Sequence, residues 1–177
     1  VSNQPFIDSA TGDVVVFNGE VYNYRELRAQ LSGDYAFQTD SDTEVVLAAM
    51  QVWGRAALTE FNGMFAFAYW NQARRELTLA RDRMGIKPLY FAHADNMVVF
   101  SSEVRSLLAS DWIERKHDPV GLADYLRYQT VHAPRTIVKG VSLLPAGHWM
   151  RLQGEETETG RWWNPAASAT PSVRSRK

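Results

Sequence analysis

The residues of this chain whose types and spacing could do chemistry stand together at positions 18–20, where Asn18, Gly19 and Glu20 follow an apolar run. The run 14–17 (VVVF) predicts a buried strand. Asn18 and Gly19 predict a sharp turn at its end, because both residues tolerate positive φ. At such a turn the Gly19 N–H would point outward beside the Asn18 side-chain amide, and two donors of that kind can stabilise an oxyanion. Glu20 adds a carboxylate that could hold a cationic amine. An ordinary hairpin or strand-to-helix turn is the alternative reading of the same stretch.

The surrounding pattern predicts the elements that position these residues. Helices are expected from Asn23, with Glu26 at capping-box spacing, to about residue 33, and from Ser41, with Glu44 at the same spacing, to Gly54. Two more are expected over about 102–109 and from Asp118. Further strands are predicted over 37–39, 64–70, 76–81, 89–92, 97–101, 141–144 and 149–152.

One of these strands indicates the layering. Residues 64–70 (MFAFAYW) are apolar on both faces, which is typical of a strand buried between two layers. Hairpin-linked strands mixed with separate helices indicate the α+β class. The polar, basic stretch from Ala166 to Lys177 predicts a disordered tail or linker, so we expect one domain over residues 1–165.

Composition excludes several classes of protein. The net charge of −1 and pI near 6.5 give no footprint for nucleic acid or anionic lipid. The longest apolar run is far shorter than the roughly 20 residues that span a bilayer, so no membrane association is expected. Zero cysteines exclude disulfides and a cysteine nucleophile within the chain, and are compatible with a cytoplasmic protein. The four histidines lack metal-ligand spacing, and no metal site is expected.

The stretch 18–23 (NGEVYN) resembles the N-G-E-[IV]-Y-N motif of the glutaminase domain of class II glutamine amidotransferases, in the asparagine synthetase (glutamine-hydrolysing) branch. Five further blocks resemble that family in the same order: 39–45 TDSDTEV, 62–68 NGMFAFA, 81–90 RDRMGIKPLY, 100–108 FSSEVRSLL and 144–148 LPAGH. The resemblance implies a four-layer αββα sandwich of the N-terminal-nucleophile hydrolase type. It also implies glutamine as the substrate and hydrolysis to glutamate and ammonia.

The resemblance assigns roles to four residues. Asn18 and Gly19 match the oxyanion pair, while Asn18, Glu20 and Asp42 match substrate-binding positions, with Asp42 paired to the α-ammonium of glutamine. The simpler role for Asp42 is a first-turn carboxylate favoured by the helix dipole, and the two roles are compatible. Arg81 and Asp82 favour a buried pair that shapes the loop beside the site.

The departure from the family concerns the nucleophile, an N-terminal cysteine that this chain does not contain. We therefore expect an incomplete glutaminase domain that starts inside the fold and is inactive alone. The family also implies a C-terminal synthetase domain in which ATP and Mg²⁺ activate aspartate, and it allows a homodimer. Two alternatives are a non-catalytic interaction domain and a relative of the β-lactam synthetases or another amidotransferase.

Overall fold

Across residues 3–95 and 97–168, the part of the chain that the computed structural model describes, nine strands form two antiparallel sheets. The strands are β1 Phe6–Ile7, β2 Val14–Val21, β3 Gly63–Asn71, β4 Glu76–Arg81, β5 Tyr90–Ala94, β6 Met97–Ser101, β7 Val141–Leu143, β8 His148–Gln153 and β9 Glu156–Arg161. The helices are α1 Tyr24–Leu31, α2 Asp42–Trp53, α3 Ala57–Glu60, α4 Val104–Ala109, α5 Pro119–Tyr128 and α6 Pro165–Ser168, with a 3₁₀ turn at Gly54–Ala56.

The two sheets lie face to face between layers of helix. One sheet has six strands in the order β1-β2-β3-β4-β8-β9, and the other has three in the order β6-β5-β7. One apolar cluster joins the six-stranded sheet to α1 and α2, a second lies between the sheets, and a third joins the three-stranded sheet to α4. The expected α+β class and αββα layering are confirmed.

Strand β3 shows why the sheets stack in this way. Its side chains alternate, with Phe65, Phe67 and Tyr69 packed in the helix-side cluster and Ala66 and Ala68 in the cluster between the sheets. Apolar residues on both faces therefore reflect burial on both faces, as predicted. The bulky side chains fill the space under α2, and the small ones face the second sheet.

The predicted turn at Asn18 and Gly19 is wrong. Strand β2 continues to Val21 and pairs with β3 without interruption, from Val14 opposite Trp70 to Val21 opposite Gly63. Local sequence favoured the turn, but the long antiparallel ladder with β3 holds the segment extended. Asn18 and Gly19 consequently lie within a sheet.

Other differences are smaller. Asn23 makes no capping bond to α1; its side chain instead accepts from the Asn62 N–H and donates to the Glu60 carbonyl. No strand forms over 37–39, and β1 and β9 were not predicted. The first three residues of the tail predicted from Ala166 belong to the single-turn helix α6, and the rest of that tail lies outside the described residues. In the described part of the chain, no helix is long and apolar enough to cross a bilayer.

Candidate functional site at the edge of strand β2

The main-chain groups of Gly19 point away from β3. In an antiparallel pair, alternate residues direct their N–H and C=O groups toward the partner strand. The Tyr22 N–H donates to the Asn62 carbonyl at 2.8 Å, so residues 22 and 62 form a hydrogen-bonded pair. In this register, residues 20, 18, 16 and 14 of β2 are likewise hydrogen-bonded to β3. Phe17, Gly19 and Val21 therefore present their main-chain groups on the opposite side of the strand. We call this side the β2 edge.

Side chains occupy the β2 edge on either side of Gly19. At Phe17 the Gln4 carboxamide accepts from the N–H and donates to the carbonyl, both at 2.7 Å. At Val21 the N–H donates to the Asp42 carboxylate at 3.2 Å. Among the described residues, none hydrogen-bonds the Gly19 N–H on this side. The β2 edge thus has one open position, flanked by an amide and a carboxylate.

Only glycine fits at position 19. Its φ is +140°, a backbone conformation that side-chain-bearing residues rarely adopt. A Cβ built there would lie 2.0 Å from the Met64 carbonyl oxygen and 2.7 Å from the Phe65 Cα. The close approach of β2 and β3 therefore depends on the absence of a side chain, and it fixes the direction of the Gly19 N–H.

Asn18 and Glu20 project from the face of β2 that looks toward the second sheet, because side chains two residues apart share one face of a strand. The Asn18 Nδ2 donates to the Ser102 hydroxyl at 2.9 Å, which links the two sheets across the site. A carboxamide has two N–H donors, so one remains for a ligand. Glu20 is exposed and makes no hydrogen bond or ion pair with any described residue.

A cavity of 330 Å³ opens beside Asn18 between the sheets. This volume is at the low end of the range for small-molecule sites. The apolar wall comes from both sheets, and Ser101, Ser102 and Ser106 supply hydroxyl groups at the start of α4. The remaining lining residues are Val16, Ala66, Phe67, Ala68, Leu89, Phe100 and Glu103.

The start of α2 brings Asp42 to the β2 edge. Ser41 caps the helix by accepting from the Glu44 N–H, as the capping-box spacing predicted. The Glu44 side chain does not complete the box. It is fully buried and accepts from the main-chain N–H groups of Gln38 and Thr39 and from the Thr39 hydroxyl, at 2.6–2.7 Å. Glu44 therefore anchors the loop that leads into the helix carrying Asp42.

Arg81 and Asp82 clamp the loop at 82–88, but they do so without an ion pair between them. Arg81 donates to the carbonyls of Lys87, Leu144 and Gly85 at 2.6–2.7 Å. The buried Asp82 carboxylate accepts four main-chain N–H groups, those of Phe65, Met84, Ile86 and Lys87. Burial lowers the pKa of Arg81, which the nearby Asp82 and Tyr90 partly offset. The pair shapes the loop, as expected, but each partner does so through the backbone.

Three of the four predicted site residues surround the open position: Asn18 and Glu20 on β2 itself and Asp42 beside it. Sequence reasoning missed two neighbours, Gln4 and Ser102. Ser102 lies in the block 100–108 that resembles the family, and Gln4 lies outside the six blocks. Neither was assigned a role, because their partners are 84 and 13 residues away. Within residues 3–95 and 97–168, no group of three or more His, Asp or Glu side chains could hold a metal ion.

Comparison with known proteins identifies the domain. The sequence matches the glutamine amidotransferase domain over residues 1–163. It is 33% identical over 165 residues to asparagine synthetase [glutamine-hydrolyzing] 3 of Bacillus subtilis (strain 168), covering 91% of this chain and 27% of that protein. It is 41% identical over 134 residues to asparagine synthetase [glutamine-hydrolyzing] 1 of the same organism, covering 75% and 21%. The chain thus spans about a quarter of the length of these relatives.

A solved structure shares the fold. The glutamine phosphoribosylpyrophosphate amidotransferase of B. subtilis superposes with a TM-score of 0.60 at 19% identity, covering 90% of this chain and 32% of that one. A superposition at this level of identity shows a common fold and no more. With the family match over nearly all of its length, the chain belongs to the glutamine amidotransferase domain family.

Proposed function

We propose that this chain is the glutamine-binding part of a glutamine-dependent enzyme of the asparagine synthetase type. The observation that carries the proposal is the open position at Gly19, where a main-chain N–H stands beside the Asn18 carboxamide. Two fixed donors on a rigid strand provide preorganised stabilisation for a developing oxyanion. The family match and the glutamine-hydrolysing relatives support the same chemistry.

Glutamine would bind with its side-chain amide at Asn18 and Gly19. Its α-ammonium group would be held by Asp42 at the β2 edge, and the exposed Glu20 carboxylate would contact its amino-acid end. The bond from the Val21 N–H to Asp42 supports this assignment, because it holds that carboxylate two residues from Gly19 along the strand. The cavity walls beside Asn18 would partly exclude bulk water from that carboxamide, which would strengthen its contact with the glutamine amide.

The nucleophile would be a cysteine thiolate outside this stretch, since the chain contains no cysteine. It would attack the glutamine amide carbon, and Asn18 and Gly19 would stabilise the oxygen of the tetrahedral intermediate. Protonation of the nitrogen and collapse would release ammonia and leave a thioester. Water would then hydrolyse the thioester to glutamate and free thiolate, again through an oxyanion at the same two donors. This chain alone would be inactive.

The remaining three-quarters of the relatives' length leaves room for a synthetase domain. In the parent protein, ammonia would pass to that domain, where ATP and Mg²⁺ would activate aspartate. No ATP site is proposed within this chain. We further propose that the parent is cytoplasmic and that it forms a homodimer.

The first test is the coding sequence upstream of Val1. An open frame that supplies a cysteine positioned as an N-terminal nucleophile supports the proposal. In that parent protein, Asn18→Ala should lower the kcat for glutamate release by about 10²- to 10³-fold, because one oxyanion donor is lost. Asn62→Ala is the matched control, since that side chain is exposed and has no described partner.

Two results would reject the proposal. One is glutamine hydrolysis by the parent that Asn18→Ala leaves intact, which would remove the β2 edge from the chemistry. The other is a parent frame without any such cysteine and without glutaminase activity. That outcome would favour a non-catalytic domain with a glutaminase fold.

A further inference from the structure

The side chain of Gln4 makes the two hydrogen bonds to β2 that a main-chain residue would make in a regular antiparallel ladder. Strands β1 and β2 pair with Phe6 opposite Val15 and Ile7 opposite Val14, and the Asp8 N–H donates to the Asp13 carbonyl at 2.9 Å. Bonded pairs alternate along an antiparallel ladder, so the next bonded position after Phe6 and Val15 is residue 4 opposite Phe17. There the two bonds come from the Gln4 carboxamide instead of its backbone.

Because these bonds come from a side chain, the main chain at residue 4 lies away from the β2 edge. The carboxamide lies at the end of the Gln4 side chain, so the main chain of residue 4 stands about one side-chain length from Phe17. Strand β1 correspondingly begins only at Phe6 and does not include residue 4. Main-chain pairing of β1 with β2 therefore does not reach Phe17. Beyond Phe17, the next main-chain groups along the β2 edge are those of Gly19.

We propose that Gln4 is a positioning residue, which satisfies the main chain of Phe17 while holding the preceding strand off the β2 edge, and so keeps the Gly19 N–H available to the substrate. The inference rests on the proposed function for its catalytic consequence, but its geometric part does not. A strand that paired with β2 two residues further would occupy the Gly19 groups that the oxyanion requires.

A carboxamide is the side-chain group suited to this position, since it carries a donor and an acceptor side by side. A carboxylate of the same shape offers only acceptors when ionised, and one oxygen would then face the Phe17 carbonyl. Gln4→Glu is therefore a near-isosteric variant that removes one bond and adds a repulsion. Gln4→Ala removes both bonds.

Amide hydrogen exchange on the ¹⁵N-labelled chain tests the geometric part directly. In Gln4→Ala, exchange of the Phe17 N–H should accelerate by about tenfold, because a hydrogen bond of ordinary strength is lost. The Gly19 N–H should exchange fast in the unaltered chain. Gln30→Glu, on the exposed surface of α1, is the control and should leave both rates unchanged. An unchanged Phe17 rate in Gln4→Ala, or a strongly protected Gly19 N–H, would overturn the proposal.

Kinetics of the parent test the catalytic part. Gln4→Glu should lower kcat for glutamine hydrolysis by about tenfold, with a smaller change in KM, because an oxyanion donor displaced from its position acts mainly in the transition state. Supply of free ammonia in place of glutamine should bypass the defect. A variant with equal losses in the glutamine and ammonia reactions would contradict positioning and indicate a general loss of fold. Should the parent lack glutaminase activity, the proposed function fails while the exchange data still decide the role of Gln4.

Discussion

Replacing Gly19 by alanine should destabilise the domain strongly, because the added methyl group meets backbone and not a movable side chain. The Cβ would lie 2.0 Å from the Met64 carbonyl oxygen at a φ of +140°. Overpacking of this kind costs about 3 kcal/mol. The unfavourable backbone conformation adds about 1–3 kcal/mol. We therefore expect Gly19→Ala to lower the free energy of unfolding by about 4 kcal/mol, a large part of the total of about 5–15 kcal/mol for a domain.

Urea unfolding followed by tryptophan fluorescence measures this loss. With a slope of about 2 kcal/mol per molar urea, the midpoint should fall by about 2 M. Gly33→Ala is the matched control, because nothing lies within 4 Å of its Cβ position, and it should change stability by less than about 0.5 kcal/mol. A Gly19→Ala midpoint equal to that of the control would refute the close approach of β2 and β3, and with it the geometry of the proposed oxyanion donor.

The first of two further changes tests the loop that leads into α2, and the second tests the turn between β1 and β2. Glu44→Gln should lower the free energy of unfolding by about 2 kcal/mol, because an NH₂ group would face main-chain N–H donors from which the buried carboxylate now accepts. The exposed Glu26→Gln is the control and should leave the urea midpoint unchanged. Equal effects of the two changes would contradict the anchoring role of Glu44. Burial opposes ionisation of Asp8, but bonds from Gln51, the Ala10 N–H and Thr11 outweigh it and hold the pKa below its ordinary 3.8. Its stabilisation is thus present above pH 3.8 and is lost as the pH falls through the lower folded value. The unfolding free energy lost by Asp8→Asn should consequently be larger at pH 7 than at pH 2, and an equal loss at both would contradict the shift.

Local sequence predicted the elements well where one local signal dominates. Helix α2 was predicted from Ser41 to Gly54, and the structure has its cap at Ser41 and its end at Trp53. A hydroxyl that bonds the N–H three residues on, and a glycine that adopts positive φ at the end, are interactions within the element itself. The apolar pattern of β3 likewise specified burial on both faces, because alternation is a property of the strand alone.

Local sequence failed where distant partners decide the conformation. Asn18 and Gly19 are typical turn residues, yet pairing with residues 65 and 66 keeps them in a strand. The Asn23 side chain, predicted to cap α1, instead accepts a hydrogen bond from the Asn62 N–H, which the folded domain brings close. In both cases a contact made only in the folded domain outweighs a preference of a few tenths to about 1 kcal/mol.

The sequence by itself determined which groups are available for chemistry: an amide, a glycine N–H and two carboxylates at positions 18, 19, 20 and 42, in an order that matches one family. The tertiary structure alone decided how they meet. Gly19 presents its N–H because of the register of β2 on β3, and the open position exists because Gln4 and Asp42 occupy the groups on either side. Register and edge occupancy depend on pairing between segments far apart in the chain, and no local propensity encodes them.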